Sequence, residues 1–261
     1  MSSPESHETQ RRAWDGLADS WAERVRSGTD HNRVHILDPA TLEVLGDVSG
    51  LQVLDAGCGE GRFSRILAER GGQVTGVDLS GRMIDHAREQ ESQHPLGPQY
   101  HVADMADLSF LASAEFDIAL AYFSLFDVEN YETALCEIAR VLKPGGRFVF
   151  SVSHPCFLTP DSGWELVRPN SFQDKDRLYW KVDNYFPARG VEVKIWPTAS
   201  PIINYHRPLS EYAHALRDAG FLIRDLIEPT PDPKLVEQLD FWRGYIRIAT
   251  SIIFDCVKGG A

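Results

Sequence analysis

Val53-Leu54-Asp55-Ala56-Gly57-Cys58-Gly59-Glu60-Gly61-Arg62 joins a short apolar run to three alternating glycines and then to a segment of helical periodicity. An apolar run this short, bounded by glycine, reads as a buried strand, and the glycines as the turn that opens the next helix. Glycine tolerates positive φ and lets a ligand come close to the backbone. Three alternating glycines at the end of a first strand are more than a tight turn needs. The dinucleotide fingerprint G-x-G-x-x-G requires its third glycine where Arg62 stands. The spacing here is G-x-G-x-G, which disfavours a nicotinamide-dependent reductase. Asp55, where the turn starts, is awkward beside a pyrophosphate and suited to a cationic ligand.

Outward from this loop the chain alternates. Phe63, Ile66 and Leu67 give a helix face over 60–70, which Gly71-Gly72 stops. Strands follow at 73–78, 99–103, 116–121 and 147–153, with helices from Ser80 as N-cap to about Glu89 and from Tyr131 to Leu142. Lys143-Pro144-Gly145-Gly146 breaks the second of these helices. Strand–helix alternation with near-continuous apolar strands predicts an α/β fold: a doubly wound, mostly parallel seven-stranded sheet with helices on both faces. Before the loop, residues 1–10 read as a frayed end. Trp14, Leu17, Ala18, Trp21 and Val25 form one helical stripe, and Arg33–Leu45 a second helix. After the fifth strand, prolines and aromatic rings break the rhythm. Residues 154–206 read as an inserted, antiparallel lid, with Tyr179–Asp183 and Val191–Trp196 as its strands. Its eight large rings imply a small core of its own, with two or three rings facing a flat or apolar ligand. A helix over 210–219 and strands over 221–227 and 246–257 complete the chain. The expected organisation is an N-terminal helical cap over 1–46, a core over 47–153 and 207–261, and the lid.

Composition bounds the function. The 261 residues are 43% apolar and 25% charged, ordinary for a globular chain. The formal net charge is −12, which disfavours a nucleic-acid partner. No run of about 18 apolar residues exists to span a membrane, and no signal core opens the chain. The four cysteines show no C-x-x-C or zinc-type spacing, so free thiols in a reducing cytoplasm and no bound metal are expected.

The sequence resembles the class I, Rossmann-like S-adenosylmethionine-dependent methyltransferases over about 50–150 and 205–257. The resemblance is carried by the acidic G-x-G-x-G motif (Asp55, Gly57, Gly59, Gly61), by Asp78 ending the second strand, by Asp104-Met105 after the third, by Ala121-Tyr122 ending the fourth, and by Arg140-Val141-Leu142-Lys143-Pro144-Gly145-Gly146. It implies S-adenosylmethionine as cofactor, held by Asp55, Ala56, Gly57, Cys58, Gly59, Gly61, Asp78, Leu79, Met83, Asp104, Met105, Ala121 and Tyr122. Asp78 would accept from the ribose hydroxyls, and Asp104 or its neighbouring backbone would meet the adenine amino group. Trp21 stands where the family carries an aromatic residue over the methionine end, though core packing explains it equally. Trp14 reads as packing.

The implied reaction is in-line displacement at the sulfonium methyl, on oxygen, nitrogen or carbon of a small acceptor. A protein of this fold that catalyses another reaction, such as cyclisation, is the alternative. Ligands of doubly wound sheets bind outside the carboxyl ends of the strands. Tyr122, Phe123, Phe126, His154 and Phe157 therefore face the expected acceptor site, with Tyr185, Tyr205 and His206 from the lid. His154, extended before Pro155, is either a base or a hinge and orienting residue. His206, in His206-Arg207-Pro208-Leu209-Ser210, is the second catalytic candidate. A monomer or homodimer is expected, with neither nucleic acid nor membrane as partner.

Overall fold

The computed structural model describes residues 4–169, 171, 173–195, 201–238 and 240–259. The chain opens with α1 (Pro4–Arg26), a π-helical turn (Arg33–Leu37) running into α2 (Asp38–Leu45), β1 (Gln52–Ala56), α3 (Arg62–Glu69), β2 (Gln73–Asp78), α4 (Gly81–Gln93) and β3 (Gln99–Val102). Next come β4 (Phe116–Tyr122), α5 (Tyr131–Val141) and β5 (Leu142–Ser153). The lid contributes β6 (Gly163–Leu166), β7 (Arg177–Lys181), β8 (Arg189–Val193) and β9 (Ile202–His206). The chain closes with α6 (Leu209–Asp218), β10 (Phe221–Ile227), α7 (Pro233–Gln238) and β11 (Ser251–Lys258).

The main sheet has seven strands in the order β3-β2-β1-β4-β5-β11-β10. The pairs β1–β2, β2–β3, β1–β4 and β4–β5 are parallel, and β11 runs antiparallel to both β5 and β10. The direction of winding reverses between β1 and β4, so a crevice opens at their carboxyl ends. Both faces of the sheet are buried. Leu54, Ala119, Ala121, Phe148 and Phe150 pack with the apolar stripes of α5 and α6 on one side. Val53, Ile118, Leu120, Tyr122 and Val149 pack with Leu37, Phe63 and Leu67 on the other. The period of two along β1, β4 and β5 sends alternate residues to these two layers. Asp255 on β11, only 2% exposed, is gripped by Arg147 of β5 and Arg224 of β10. Arg147 also donates to the Val44 and Leu45 carbonyls at the end of α2. One buried carboxylate thus ties the reversed strand to both neighbours and, through Arg147, to the helix layer.

The structure differs from expectation in four places. Residues from Pro4 are helical, because Glu8 pairs with Arg11 and Arg12 one turn on, and Gln10 is buried. The two expected lid strands do not pair with each other. β7 pairs with β6, and β8 with β9, as two hairpins. Trp196 and Phe172 lie outside the described residues. The last strand starts at Ser251 rather than 246; a short helix and a 3-10 turn (Asp240–Gly244) precede it, and Trp242 is buried against His35. The helix from Ser80, whose hydroxyl accepts from Met83 N–H, runs on to Gln93.

Phe254 is fully buried, with its ring 4.5 Å from Phe150 and 5.8 Å from Tyr212. Phe254→Ala should cost ~3–5 kcal/mol in urea unfolding at unchanged m-value. Leu222→Ala, at a position 64% exposed on β10, should stay within ~0.5 kcal/mol of the parent.

Candidate active site

Each glycine of the loop after β1 is required for a different reason. All three take positive φ: +80° at Gly57, +56° at Gly59 and +80° at Gly61. A Cβ on Gly57 would stand 2.5 Å from the Ser124 side chain, and one on Gly61 2.7 Å from the Tyr100 hydroxyl. A Cβ on Gly59 would meet nothing within 4 Å, because that position borders open cavity. The loop folds back over β2. The Gly57 and Cys58 N–H groups donate to the Val77 carbonyl at 2.8 and 2.9 Å, and Gly59 N–H donates to Asp78 Oδ2 at 2.8 Å.

Two carboxylates are trapped beneath this turn. Asp55 Oδ2 accepts from the Ser64 hydroxyl at 2.5 Å, while Oδ1 is buried with no partner among the described residues. Asp78 Oδ1 accepts from Ser80 N–H at 2.9 Å. Burial pushes Asp55 up to about 7 and Asp78 up to about 6. Water no longer solvates the charged forms, and the hydrogen bonds recover only part of that loss.

These groups face a cavity of about 1240 Å³, its open mouth included. Of the expected cofactor residues, Trp21, Asp55, Gly57, Cys58, Gly59, Asp78, Leu79, Met83, Asp104, Met105 and Tyr122 line it. Ala56, Gly61 and Ala121 lie behind the wall; the Ala56 carbonyl accepts from Ser124 Oγ, and Gly61 backs onto Tyr100. Phe123 and Tyr205 also line the cavity. Phe123 has φ +54°, a strained backbone placed at the end of β4, with its N–H donating to Ser151 Oγ.

Several lining residues were not legible in the sequence. α1 brings His7, Gln10 and Trp14, with His7 Nε2 2.8 Å from Asp104 and the Trp14 and Trp21 rings 5.7 Å apart, edge to face. The π-helical turn brings Arg33. Its guanidinium lies 5.1 Å from the Trp21 ring, 5.2 Å from Tyr122 and 5.5 Å from Phe123. No motif marks Arg33; single π-turns recur at functional sites, and their irregular winding has no sequence signature. Asp127 follows β4 in a 3-10 turn and lines the cavity; an acid just past a strand's carboxyl end was the available signal. Asn204 Nδ2 donates to its Oδ1, and burial raises its carboxyl well above the usual range.

A second cavity of about 670 Å³ opens on the far side of Tyr205, which borders both. It is lined by Phe126, Asn204, His206 and Thr159, whose hydroxyl is buried with no partner among the described residues. His206 Nε2 bonds to the Tyr185 carbonyl at 2.7 Å. A carbonyl only accepts, so Nε2 carries the proton and Nδ1 holds the lone pair.

His154 does not face either cavity. It is 3% exposed. Its Nδ1 accepts from Cys156 N–H at 3.2 Å and its Nε2 donates to Glu228 at 2.8 Å. With both nitrogens engaged, it pins the start of the lid to the residues after β10 and has no lone pair for an acceptor. The Phe157 ring lies 4.7 Å from His154, tilted by 40°, and lines neither cavity. Tyr185 also lines neither; its hydroxyl accepts from Leu209 N–H. Of the lid's rings, Trp164 and Trp180 form a cross-strand pair 5.2 Å apart, Phe186 is 81% exposed, and Tyr205 reaches the cavities. Among the described residues no group of three or more His, Cys, Asp or Glu could hold a metal, and no helix is long and apolar enough to cross a membrane.

Gly57→Ala and Gly61→Ala each combine a steric clash with left-handed strain and should destabilise by ~2–4 kcal/mol. Gly59→Ala, with room for its methyl, should cost only the ~1–2 kcal/mol of left-handed backbone. Thermal unfolding of the three variants checks the order.

Residues 54–150 match the model of a family described as a methyltransferase domain. Among curated proteins, the chain is 40% identical over 117 residues to the demethylmenaquinone methyltransferase of Tropheryma whipplei, covering 44% of this chain and 48% of that one. It is 38% identical over 136 residues to the malonyl-[acyl-carrier protein] O-methyltransferase of Pectobacterium atrosepticum, covering 52% and 48%. The chain thus spans about half the length of these relatives. The solved S-adenosylmethionine-dependent methyltransferase from Mesorhizobium loti superposes with a TM-score of 0.72 at 28% identity, over 84% of this chain and 96% of that one. The cradle after β1 thus lies within the segment that matches a methyltransferase domain, in a fold similar to that of solved S-adenosylmethionine-dependent methyltransferases.

Proposed function

We propose that the chain transfers the methyl group of S-adenosylmethionine to an oxygen or nitrogen atom, with carbon as a further possibility, of a small, largely apolar acceptor. The observation that carries this reading is the pairing, in one cavity, of a buried carboxylate oxygen without a partner and a guanidinium framed by rings. The methionine end of the cofactor is a zwitterion. Asp55 Oδ1 would accept from its ammonium, and Arg33 would meet its carboxylate. Asp78 keeps lone pairs for the ribose hydroxyls, Asp104 and Met105 stand for the adenine, and the space beside Gly59 admits the ligand against the backbone. The bound cofactor supplies a methyl carbon activated by a positively charged sulfur. Trp21, Tyr122 and Phe123 offer ring faces to that cation and keep water from it.

The second cavity suits the body of the acceptor. Phe126, Val191, Val193 and Tyr212 supply apolar wall, and Thr159 Oγ1 and His206 Nδ1 supply polar anchors. The matched domain, 54–150, contains the cofactor cradle and none of the lid, which supports the transfer reaction and leaves the acceptor to residues 154–206. Four unpaired cysteines fit a reducing, cytoplasmic setting.

A thermal-shift series separates the ligand classes. S-adenosylmethionine at ~100 times its dissociation constant should add ~2.7 kcal/mol, and a nicotinamide dinucleotide nothing. A shift with the dinucleotide alone would overturn the reading. Asp78→Ala should weaken cofactor binding without lowering turnover at saturation, because bonds to ribose are alike in ground and transition states.

Stability should also depend on pH in a defined direction. Asp55 and Asp78 have folded pKa values, about 7 and about 6, above the ordinary 3.8. Their contribution is present below the unfolded pKa and is lost as pH rises through the folded values. The unliganded protein should lose stability between about pH 5 and pH 7.5, and Asp55→Asn should flatten that loss while weakening cofactor binding. Urea unfolding at the two pH values measures both.

A further inference from the structure

Asp127 is a half-buried carboxylate beside the boundary between the two cavities. It lines the cofactor cavity, while its neighbours Phe126, Asn204 and Tyr205 line the second. The Asn204 amide donates to Oδ1. The turn that carries it is anchored independently. Gln10 Nε2 donates to the Asp127 carbonyl at 3.3 Å and to the Ile203 carbonyl at 3.0 Å, and Ile203 N–H donates to Gln10 Oε1 at 2.9 Å. The carboxylate is therefore fixed in place where an acceptor filling the second cavity would present its reacting atom to the first.

Resting on the proposed methyl transfer, we infer that Asp127 is the catalytic base, and that the cofactor's own charge sets its affinity for the proton. As the acceptor's lone pair forms the bond to the methyl carbon, the carbon–sulfur bond breaks with its electron pair left on sulfur, and the acceptor's proton passes to Asp127 Oδ2. Charge balances: a sulfonium and a carboxylate become a neutral thioether and a neutral carboxylic acid. An opposite charge within ~4–6 Å stabilises the ionised carboxylate strongly. Asp127 is thus held ionised before transfer. Once that charge is gone, burial favours its protonated form, so the proton acceptor strengthens as the reaction proceeds. Binding of fresh cofactor expels the proton and resets the residue.

Other charged and titratable groups face Asp127 or share its cavity, His7 among them. Arg33 from the π-turn and Arg207 from the end of β9 favour the ionised form, and Asp78 from β2 opposes it. Arg207 is itself buried, donating to the Val128 and Glu129 carbonyls with its guanidinium 3.9 Å from the Tyr131 ring. Asp55, Glu60, Asp104, Glu129 and Arg62 line the same cavity. The ammonium and carboxylate of the methionine end are common to the cofactor and to its demethylated product, so a comparison of those two ligands isolates the sulfonium charge.

The test is calorimetric titration of the full chain with S-adenosylmethionine and with S-adenosylhomocysteine, in buffers of unlike ionisation enthalpy between about pH 5.5 and pH 8. Binding of the product should take up more protons than binding of the cofactor. The product-to-cofactor affinity ratio should then fall as pH rises, by up to ~10-fold per pH unit. In Asp127→Asn the ratio should be flat. A flat ratio in the parent protein, or a slope retained in Asp127→Asn, overturns the inference; the second outcome would assign the proton to Asp55 or Asp78. Failure of both ligands to bind overturns the methyl-transfer reading instead. Should Asp127→Asn not fold, infrared difference spectra of the parent protein decide. Exchange of cofactor for product should add one protonated-carboxyl stretch, which Asn204→Ala should shift by removing the donor to Oδ1. Absence of that band, or a band that Asn204→Ala leaves in place, overturns the inference.

Discussion

The sharp turn after β1 has to bring three backbone segments together around two carboxylates. Gly57 and Gly61 leave no room for a side chain because Ser124 and Tyr100 stand in that space. Those contacts also seat β3 and the turn after β4 against the loop. Tight closure buries Asp55 and half-buries Asp78, and desolvation lifts both proton affinities. The unliganded fold carries that cost. Leaving Asp55 Oδ1 without a donor is unfavourable for folding alone and leaves a buried acceptor at the cavity wall. Stability is in this way set aside locally for binding, as at other functional sites.

Around this fixed centre the ligand walls come from segments that share no continuous sequence. α1 and the π-turn supply Trp21 and Arg33, the 3-10 turn after β4 supplies Asp127, and β9 supplies Asn204 and Tyr205. Sheet residues form the floor of the cavity and these outer elements its cover. The division sets loops held by a rigid sheet against a wall built from a separate layer.

The strand–helix rhythm and the glycine loop were legible because each has a local cause: periodicity in the first case, positive φ in the second. Asp78, Asp104 and Met105 were legible because they sit at the ends of parallel strands, where the fold itself defines a ligand position. Arg33 and Gln10 were not. Their importance arises from tertiary placement, and nothing in their neighbours' chemistry announces it. His154 was misplaced for a related reason. Sequence puts it at a strand end near the pocket, but Glu228, distant in the chain, claims one nitrogen, and the Cys156 amide claims the other. The lid strands alternate in sequence as expected, yet each pairs with a partner that the alternation could not identify.

Gln10 gives the two chambers a shared hinge. Its side-chain amide makes three hydrogen bonds, two to the backbone of Ile203 on β9 and one to Asp127. Displacement of α1 would break all three and release β9, which walls the second cavity. The walls of the two cavities are thereby mechanically coupled: one amide ties α1 to β9 and to the turn that carries Asp127, so a displacement of α1 is felt on both sides.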